Sequence, residues 1–272
     1  MPATRSSTAA SQMSLSVIVP TYNETDNIRP LTERLFKATR AAKLETELLV
    51  MDDESDGTAA TERLVGALAK EGFPVRIHVR RRGEGKGLSS AVLLGFDLAK
   101  HSVVLCMDAD LQHEPESVPD VARPVLDKSA EFTVGSRHVG DGGLGFDWSL
   151  SRRVISAGAT MLARPLSSST DPMSGFFCLS RETLARGRAA SNPVGFKIGL
   201  ELAVRCGVTR LTDVPITFQE RVAGESKLSM KQNVLYLRQL LALYWFKFKL
   251  TLLALVAALV AAACFVAQKP LG

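Results

Sequence analysis

Two aspartates close together in the sequence are the residues best placed to bind a metal ion. Asp108 and Asp110 follow directly after Val103–Met107, an apolar run that is typical of a buried strand, and Gln112 comes two residues later. Past the end of a strand the pleat no longer fixes their directions, so the two carboxylates can converge on one hard cation. Mg²⁺ and Mn²⁺ prefer such oxygen ligands and often share them with the phosphate oxygens of a substrate. The alternative interpretation is a solvated acidic turn.

Two further acidic clusters also follow predicted strands. Asp52 and Asp53 end the strand Glu47–Met51, and the run from Pro20 to Glu24 ends the strand Leu15–Pro20. The first cluster can simply cap the helix after it, because Asp and Ser side chains bind unpaired backbone amides there. A carboxylate at this position can in addition accept hydrogen bonds from a base or a ribose. Together the three clusters predict a negatively charged pocket, which would repel a diphosphate unless a metal ion intervened.

Basic residues at three places are candidates for phosphate binding. The run Arg80–Gly87 lacks the first glycine and the final Ser or Thr of a Walker loop, so it is predicted to be a flexible basic loop, as much a surface charge run as a site. The polar loop that contains Arg221 and Lys227 supplies two cations with a glycine between them, as phosphate clamping requires. Three weaker candidates lie in or after a glycine-rich loop: Arg137, Arg152 and Ser156.

Short apolar runs alternate with helical patterns along the first part of the chain. Continuous apolar strands separated by helices predict an α/β fold with a parallel sheet covered on both faces. Ligands bind such sheets at the carboxyl ends of the strands, which is where the acidic clusters lie. The predicted strands are Leu15–Pro20, Glu47–Met51, Val75–Val79, Val103–Met107, Phe132–Gly135 and one that ends at Ile216–Phe218. The predicted helices are Ile28–Ala42, Thr58–Glu71, Leu88–Lys100, Ser117–Leu126, Leu150–Ala163 and Lys197–Cys206.

The composition is that of an ordinary globular protein with a basic surplus. Of the 272 residues, 46% are hydrophobic and 22% are charged, which excludes collagen-like and low-complexity chains. The net charge of +5 favours anionic partners such as phosphorylated substrates, nucleic acid or a membrane surface. The 4 cysteines are far apart and form no Cys-x-x-Cys pair, so neither a zinc site nor a disulfide framework is predicted.

The segment Leu250–Ala267 contains no charged residue. As a helix it would be about 27 Å long, close to the ~30 Å hydrocarbon core of a bilayer. The alternative is a buried core helix, but such a helix normally keeps a polar stripe. Because basic residues precede the segment, the positive-inside rule places the N-terminal bulk in the cytosol. The predicted organisation is a flexible tail (1–14), an α/β domain (15–229), an amphipathic juxtamembrane helix (230–249), a transmembrane helix (250–267) and a short tail (268–272).

Six motifs, in order along the chain, resemble those of one enzyme family. They are Val17–Glu24 (VIVPTYNE), Asp52–Thr58 (DDESDGT), Met107–His113 (MDADLQH), Gly135–Arg137 (GSR), Asp171–Phe176 (DPMSGF) and Arg221–Leu228 (RVAGESKL). Each motif is weak alone, but the ordered set is highly specific. On these motifs the chain resembles the dolichyl-phosphate mannosyltransferases, which are inverting family 2 glycosyltransferases, in their single-polypeptide form with a C-terminal anchor.

The resemblance implies a GT-A fold with a mostly parallel central sheet, followed by C-terminal interfacial and transmembrane helices. It implies transfer of mannose from GDP-mannose to dolichyl phosphate, with Mg²⁺ or Mn²⁺ as cofactor. The donor-binding residues that it implies are Pro20, Tyr22, Glu24, Asp53, Asp108, Ala109, Asp110, Gln112, Arg137, Arg221 and Lys227.

The resemblance also implies more specific roles for some of these residues. The implied metal ligands are Asp108, Asp110 and Gln112, and the implied catalytic residues are Asp110, Arg137, Arg221 and Lys227. Arg152 and Ser156 would bind the acceptor phosphate. One departure concerns the second motif, which lacks the residue that the family usually has between Ser55 and Asp56. The role of Asp56 therefore stays open.

The acceptor in such a reaction is a phosphate monoester, which is anionic at pH 7 because its second pKa is near 6. No strong general base is then needed, and Glu201, four residues before Arg205, is predicted to form an ion pair instead. Two alternatives remain open: an enzyme of the same fold that uses UDP-glucose, and a membrane-tethered nucleotide-binding protein without turnover. The expected partners are GDP-mannose, dolichyl phosphate and the bilayer, with no nucleic acid and no obligatory protein subunit. In a eukaryote the expected location is the endoplasmic reticulum membrane.

Overall fold

The computed structural model describes residues 13–81, 83–145, 150–220 and 230–267. The strands in these residues are β1 (Ser14–Thr21), β2 (Glu45–Asp52), β3 (Val75–Val79), β4 (Val103–Cys106), β5 (Phe132–Ser136), β6 (Gly143–Leu144), β7 (Phe177–Ser180), β8 (Leu211–Pro215) and β9 (Thr217–Phe218). The helices are α1 (Thr25–Ala41), α2 (Thr58–Lys70), α3 (Leu88–Leu98), α4 (Val118–Leu126), α5 (Leu150–Ala163), α6 (Arg181–Gly187), α7 (Ile198–Arg205) and α8 (Met230–Ala267).

The main sheet brings the three acidic clusters to one edge. Its strand order is β3-β2-β1-β4-β7-β5-β8, and every neighbouring pair is parallel except those of β7, which runs antiparallel to β4 and β5. β1 and β2 stay paired as far as Thr21 and Asp52, and β1 pairs with β4 as far as Ile18 and Cys106. The chain therefore leaves all three strands at the same side of the sheet.

Helices cover both faces of this sheet, as the continuous apolar strands predict. On one face α1, α2 and α4 pack against β1, β2 and β4, with Leu31 and Leu35 of α1 in the core. On the other face α3, α6 and α7 pack around Phe96 and Phe177. The apolar residues of both helix layers are spaced three and four apart, which directs them to one side of each helix. The α/β fold with a mostly parallel sheet is confirmed.

The predicted strands and helices are present within a few residues of their expected bounds, but β6, β7 and α6 were not predicted, and the strand expected to end at Ile216–Phe218 is divided into β8 and β9. β7 is only four residues long (FCLS), too short for an alternation pattern to be recognised. Ser180 ends β7 and also caps α6, because its side chain accepts a hydrogen bond from the backbone N–H of Thr183. This antiparallel strand separates the β1–β4 half of the sheet from β5 and β8.

One continuous helix, α8, takes the place of the two predicted C-terminal helices. It contains neither Gly nor Pro, so nothing in its sequence interrupts the backbone hydrogen bonds. Leu240 and Leu243, in its first half, are buried against α5 and α7. From Leu250 to Val260 every side chain is exposed. The segment Gln232–Val260 is long and apolar enough to cross a membrane, with a mean hydropathy of 1.8.

Candidate active site

A tight turn after β4 holds the second of the two metal-site aspartates. The backbone N–H of Gln112 donates to Oδ1 of Asp110 at 3.2 Å. Leu111, between them, has a φ of +60°, the left-handed conformation that such a turn requires. The side chain of Asp110 is buried apart from a 7% exposed fraction. Its carboxylate is therefore oriented by its own turn at the edge of the sheet.

The end of β9 supports the same turn from the other side. Gln112 Nε2 donates to the backbone carbonyl of Gln219 at 3.1 Å, and the backbone N–H of Gln219 donates to the carbonyl of Gln112 at 2.9 Å. Gln219 Nε2 in turn donates to Glu114 Oε1 at 2.7 Å. These contacts fix the direction of the Gln112 amide and bring the chain to residue 220 beside the acidic turn.

Asp108 faces a glycine across the site. A Cβ atom at Gly175 would lie 3.1 Å from Oδ2 and 3.2 Å from Oδ1 of Asp108, so any larger residue would press on both carboxylate oxygens. Nδ1 of His113 lies 3.6 Å from Oδ2 of Asp108 on another side. Gly175 therefore allows the backbone to pack closely against the carboxylate without displacing it.

His113 supports this aspartate as a neutral ring. It is buried between Phe176 and Phe218, with ring centroids 5.2 Å and 5.3 Å away. Burial lowers the pKa of His113 to about 4, although the charge of Asp110 acts in the opposite direction. The backbone N–H of Asp108 points to Nδ1 of His113 at 3.4 Å. At pH 7 the imidazole is uncharged and accepts this weak hydrogen bond.

Arg137, directly after β5, is held by the buried carboxylate of Asp171. Nε donates to Oδ2 at 2.7 Å and Nη2 to Oδ1 at 2.8 Å, a two-point contact that fixes the plane of the guanidinium group. Burial acts to raise the pKa of Asp171, but hydrogen bonding and charge from Arg137 outweigh it, and the pKa lies below its usual value. The ring of Phe218 packs 5.0 Å from the guanidinium carbon. Arg137 is therefore a rigid cation at the site.

A lysine outside the recognised motifs reaches the same place. Lys197 immediately precedes α7, and its amine donates to the backbone carbonyl of Met173 at 2.9 Å. Burial lowers the pKa of Lys197, the charges of Asp108 and Asp171 raise it, and the charge of Arg137 lowers it. Lys197 is therefore close to these three charged side chains, and with Arg137 it gives the site two basic residues beside its carboxylates.

Arg80, predicted as part of a basic loop that could equally be a surface run, is instead fully buried. Its guanidinium pairs with Asp53 and donates to Ser90 Oγ at 2.7 Å and to the carbonyl of Gly87 at 2.9 Å. The backbone N–H of Gly87 donates to the second oxygen of Asp53 at 2.7 Å. The surface interpretation is therefore wrong for Arg80, because the loop folds back to neutralise the carboxylate after β2. The neighbouring Arg81 is exposed.

The chain after β1 is joined to the chain after β2. The side-chain oxygen of Asn23 accepts from the backbone N–H of Gly57 at 3.1 Å, and the N–H of Asn23 donates to Ser55 Oγ at 3.1 Å. Asn23 has a φ of +57°, which Asn tolerates better than most residues. These contacts hold two of the acidic clusters side by side.

The predicted donor-binding residues of the first motif lie around this junction. Pro20 is partly buried at the end of β1, Tyr22 is exposed, and Glu24 accepts from Asn27 Nδ2 at 2.9 Å. Asp56, whose role the second motif left open, is exposed. The structure brings Pro20, Tyr22 and Glu24 to the edge that also carries Asp53, and their contacts with a donor stay a prediction.

Residues 16–187 match the family described as glycosyl transferase family 2. The chain belongs to this family. Its members transfer a sugar, so the chain is a glycosyltransferase, and the hypothesis of a binding protein without turnover is set aside. The resemblance inferred from the ordered motifs is confirmed.

Two curated relatives of this glycosyltransferase match most of its length. The dolichol-phosphate mannosyltransferase of Saccharomyces cerevisiae is 48% identical over 241 residues, which are 86% of this chain and 88% of the yeast protein. The dolichol-phosphate mannosyltransferase of Mycosarcoma maydis is 45% identical over 246 residues, 88% of this chain and 82% of that protein.

A solved structure supports the fold of the glycosyltransferase. Glucosyl-3-phosphoglycerate synthase from Mycobacterium tuberculosis, in complex with Mn²⁺, UDP and glucosyl-3-phosphoglycerate, superposes with a TM-score of 0.56 at 19% identity. The match covers 86% of this chain and 80% of that one. The GT-A-like arrangement implied by the motifs is therefore confirmed.

Some predicted site residues of this glycosyltransferase lie beyond the described structure. Arg221 and Lys227 fall outside the described residues, as does the side chain of Arg152. Arg152 and Ser156 are one helical turn apart on α5, and the side chain of Ser156 is partly buried. Ala109 is buried between the two metal-site aspartates. The roles of these residues stay predictions.

The residues of the acidic turn fit a divalent cation whose remaining ligands come from a substrate. Within the described part of the chain, no group of three or more His, Cys, Asp and Glu side chains is arranged around one point. Asp108 and Asp110 offer two carboxylates, and Gln112 offers an amide oxygen. Mg²⁺ and Mn²⁺ are commonly held by one or two carboxylates, with phosphate oxygens and water completing the shell. The donor set of the acidic turn therefore suits such a shared ion.

The sequence reasoning missed Lys197 and assigned no role to Asp171. Asp171 lies in the fifth motif, so the motif itself was a signal that this carboxylate has a function. Lys197 lies in none of the motifs, and a single lysine before a helix is usually a solvated residue. Only the packing of α7 against the sheet shows that its amine turns inward.

Proposed function

We propose that this glycosyltransferase transfers mannose from GDP-mannose to dolichyl phosphate, with inversion at the sugar carbon, and that it requires Mg²⁺ or Mn²⁺. One observation carries the proposal. The acidic turn of Asp108 and Asp110 lies near two basic side chains, Arg137 and Lys197, and hydrogen bonds fix the position of each. A metal-bound diphosphate and a second anion can meet at such a place. The identities of the sugar and the lipid are supported by the two relatives named dolichol-phosphate mannosyltransferase.

On the donor side, Asp53 would bind the base of the nucleotide, with Pro20, Tyr22 and Glu24 around it. The buried Arg80 guanidinium offsets the charge of the Asp53 carboxylate. The carboxylate oxygens still have lone pairs that can accept hydrogen bonds from the base. Guanine presents N–H donors on its edge, so an ionised carboxylate suits it. Asp53 is 13% exposed, which leaves it accessible to the base.

The diphosphate would lie over the acidic turn. Asp108, Asp110 and Gln112 would hold the cation, which when bound offsets the negative charge that the leaving diphosphate develops. The contribution of the chain itself is orientation: the N–H of Gln112 fixes the Asp110 carboxylate before any ligand arrives. Pre-oriented charges contribute most to catalysis because they need no reorganisation during the reaction.

The acceptor phosphate is anionic at pH 7 and is its own nucleophile, so the proposed mechanism needs no general base. The task of the protein is to bring two anions together. Arg137 and Lys197 would reduce the repulsion between the donor diphosphate and the acceptor phosphate. We assign the same role to the four other predicted phosphate contacts: Arg152, Ser156, Arg221 and Lys227.

The exposed apolar side chains of two helices support membrane attachment. α5 is held against α8 by the hydroxyl of Tyr236, which donates to the carbonyl of Ala159 at 2.7 Å, and by that of Tyr244, which donates to the carbonyl of Leu162 at 2.8 Å. Four apolar side chains of α5 are exposed: Val154, Ile155, Met161 and Leu162. We propose that α8 anchors the protein in the bilayer with the catalytic domain in the cytosol, at the endoplasmic reticulum if the source is eukaryotic. No obligatory protein subunit is expected.

The test is a transfer assay with the full chain in detergent, dolichyl phosphate, and labelled GDP-mannose or UDP-glucose. Label from GDP-mannose should enter the lipid fraction, EDTA should stop the transfer, and added Mg²⁺ or Mn²⁺ should restore it. Transfer from UDP-glucose alone would refute the mannose assignment. Undiminished transfer in excess EDTA would refute the metal requirement.

Two matched aspartate variants test the acidic turn in the same assay. Asp110→Asn should lower the rate by at least about 100-fold, because it weakens the binding of the cation that offsets the charge on the leaving diphosphate. Asp120→Asn, on the exposed surface of α4, should leave the rate unchanged. Equal rates for the two variants would show that transfer does not depend on the Asp110 carboxylate.

A further inference from the structure

One buried side chain of the C-terminal helix contacts the backbone of an active-site residue. Gln239 of α8 is almost completely buried, and its Nε2 donates to the backbone carbonyl of Lys197 at 3.2 Å and to Oε2 of Glu201 at 3.1 Å. The carbonyl belongs to the residue whose amine lies among the site charges. The helix that carries the apolar anchor is therefore one hydrogen bond away from a residue of the proposed donor site.

Glu201 extends this contact to the segment before α7. Its Oε1 accepts from Arg205 Nε at 3.0 Å, which confirms the predicted ion pair, and from the backbone N–H of Asn192 at 3.0 Å. Gln239 and Asn192 thus bind the two oxygens of one buried carboxylate. The beginning of the 192–197 segment and its end are both tied to the same pair of side chains.

A third contact fixes the middle of this segment. Ser89 Oγ, on α3, donates to the backbone carbonyl of Gly195 at 2.6 Å. Gly195 has a φ of +73°, a conformation that a side chain would strain, and Leu235 of α8 lies 3.6 Å from the position of a Cβ. Three different helices therefore determine the path of the chain into Lys197.

The amide of Gln239 is not explained by packing alone. Its Oε1 is buried and finds no hydrogen-bond partner among the described residues. An unpaired buried acceptor is unfavourable, and an apolar side chain of the same size would avoid it. What the amide provides, and an apolar residue would not, is the donor to Lys197 and Glu201.

We propose that Gln239 is a positioning residue for Lys197, so that the anchoring helix also completes the donor-phosphate site. The proposal rests on the proposed function in one respect, that Lys197 offsets the charge of the bound phosphates, and it adds that the amine contacts the donor diphosphate. Without the hydrogen bond from Gln239, the backbone of Lys197 loses one restraint. The Lys197 amine is then held less firmly near the donor diphosphate. The substrate affected is the nucleotide sugar and not the lipid, because the network lies on the side of Asp108 and Asp171.

A double-mutant cycle on the full chain in detergent tests this coupling. Gln239→Met and Lys197→Met should each raise the KM for the nucleotide sugar about 10-fold, with kcat changed less than KM. The double variant should equal Lys197→Met, because the two residues act through one amine. Leu240→Met, a buried neighbour on the same helix, is the packing control and should behave as wild type. Gln239→Leu, equally unable to donate, is the second variant if Gln239→Met unfolds at a lower temperature.

Wild type, Gln239→Met, Lys197→Met and the double variant are also titrated with GDP and with UDP in the presence of Mn²⁺, so that binding is measured apart from transfer. Additive effects of the two substitutions, or a Gln239 variant with wild-type KM and affinity, would overturn the proposal while the proposed function stood. A wild-type protein that binds a nucleotide but transfers no mannose would refute the proposed function, and the binding cycle would still decide the role of Gln239. A wild-type protein that binds neither nucleotide would overturn both.

Discussion

Two arginine–aspartate pairs lie at the carboxyl edge of the sheet, and they are oriented in opposite senses. In the first pair Arg80 is fully buried and Asp53 is 13% exposed. In the second pair Asp171 is fully buried and Arg137 is 11% exposed. In each pair the buried partner orients the other, which is the one that a ligand can reach. The same two residue types therefore present an anion at one end of the site and a cation at the other.

This difference matches the chemistry proposed for the two ends. A carboxylate held by an arginine accepts hydrogen bonds, which suits the N–H groups of a base. A guanidinium held by a carboxylate donates hydrogen bonds, which suits phosphate oxygens. The β2 and β3 ends build the first pair, and the end of β5 with the loop before β7 builds the second. Reversing either pair would present the wrong charge to its part of the donor.

The largest effect is expected from breaking the second pair at its exposed member. Arg137→Met leaves the Asp171 carboxylate buried without its partner, which typically costs about 3–5 kcal/mol of unfolding free energy. It also removes a cation from the phosphate side, so transfer should fall by at least about 100-fold. Chemical unfolding followed by tryptophan fluorescence and the transfer assay measure the two effects.

Arg137→Lys is the matched control for this prediction. It keeps the charge but loses the two-point contact, so it should retain more stability than Arg137→Met and still transfer slowly. If Arg137→Met were as stable as wild type, the carboxylate of Asp171 would not depend on this arginine, and the interpretation of the pair would be wrong.

Breaking the first pair should have a smaller effect and a different kinetic signature. Arg80→Met removes the buried member, and Asp53 can recover some hydration because it is partly exposed, so we expect a cost of about 1–3 kcal/mol. The KM for the nucleotide sugar should rise about 10-fold, as for the loss of one charged hydrogen bond, with kcat little changed. Steady-state kinetics with varied donor measures this.

Arg81→Met provides the comparison within the same loop. Arg81 is exposed and lies 3.9 Å from Glu62, a surface ion pair that contributes little. Its replacement should change neither stability nor the KM for the donor. Equal effects at the two arginines would mean that the loop contributes only its overall charge.

The two pairs also show what the sequence can and cannot predict. Apolar runs predict where strands end, so Asp53 and Arg137 were recognised as candidates at the correct edge. Arg80 stands in a run of charged residues, and its burial depends on Asp53, which lies far from it in the sequence. Lys197 has no local signal at all, because the packing of α7 and α8 decides where its amine lies.

The smallest effect is a loss of stability in acid that belongs to the second pair. Burial raises the pKa of Asp171, but Arg137 lowers it more, and the net value lies below that of an unfolded aspartate. A group whose pKa is lowered by folding adds stability that is complete above the unfolded pKa of about 3.9 and disappears as the pH falls through the folded value. The pair should therefore contribute fully from neutral pH to about pH 5 and lose its contribution below about pH 4.

The variant Asp171→Asn tests this pH dependence because its side chain cannot titrate. In urea unfolding its stability should fall less steeply as the pH is lowered than that of wild type, by at most about 1.4 kcal/mol per pH unit for one proton. Parallel slopes for wild type and Asp171→Asn would mean that this carboxylate does not gain its ionised state from Arg137.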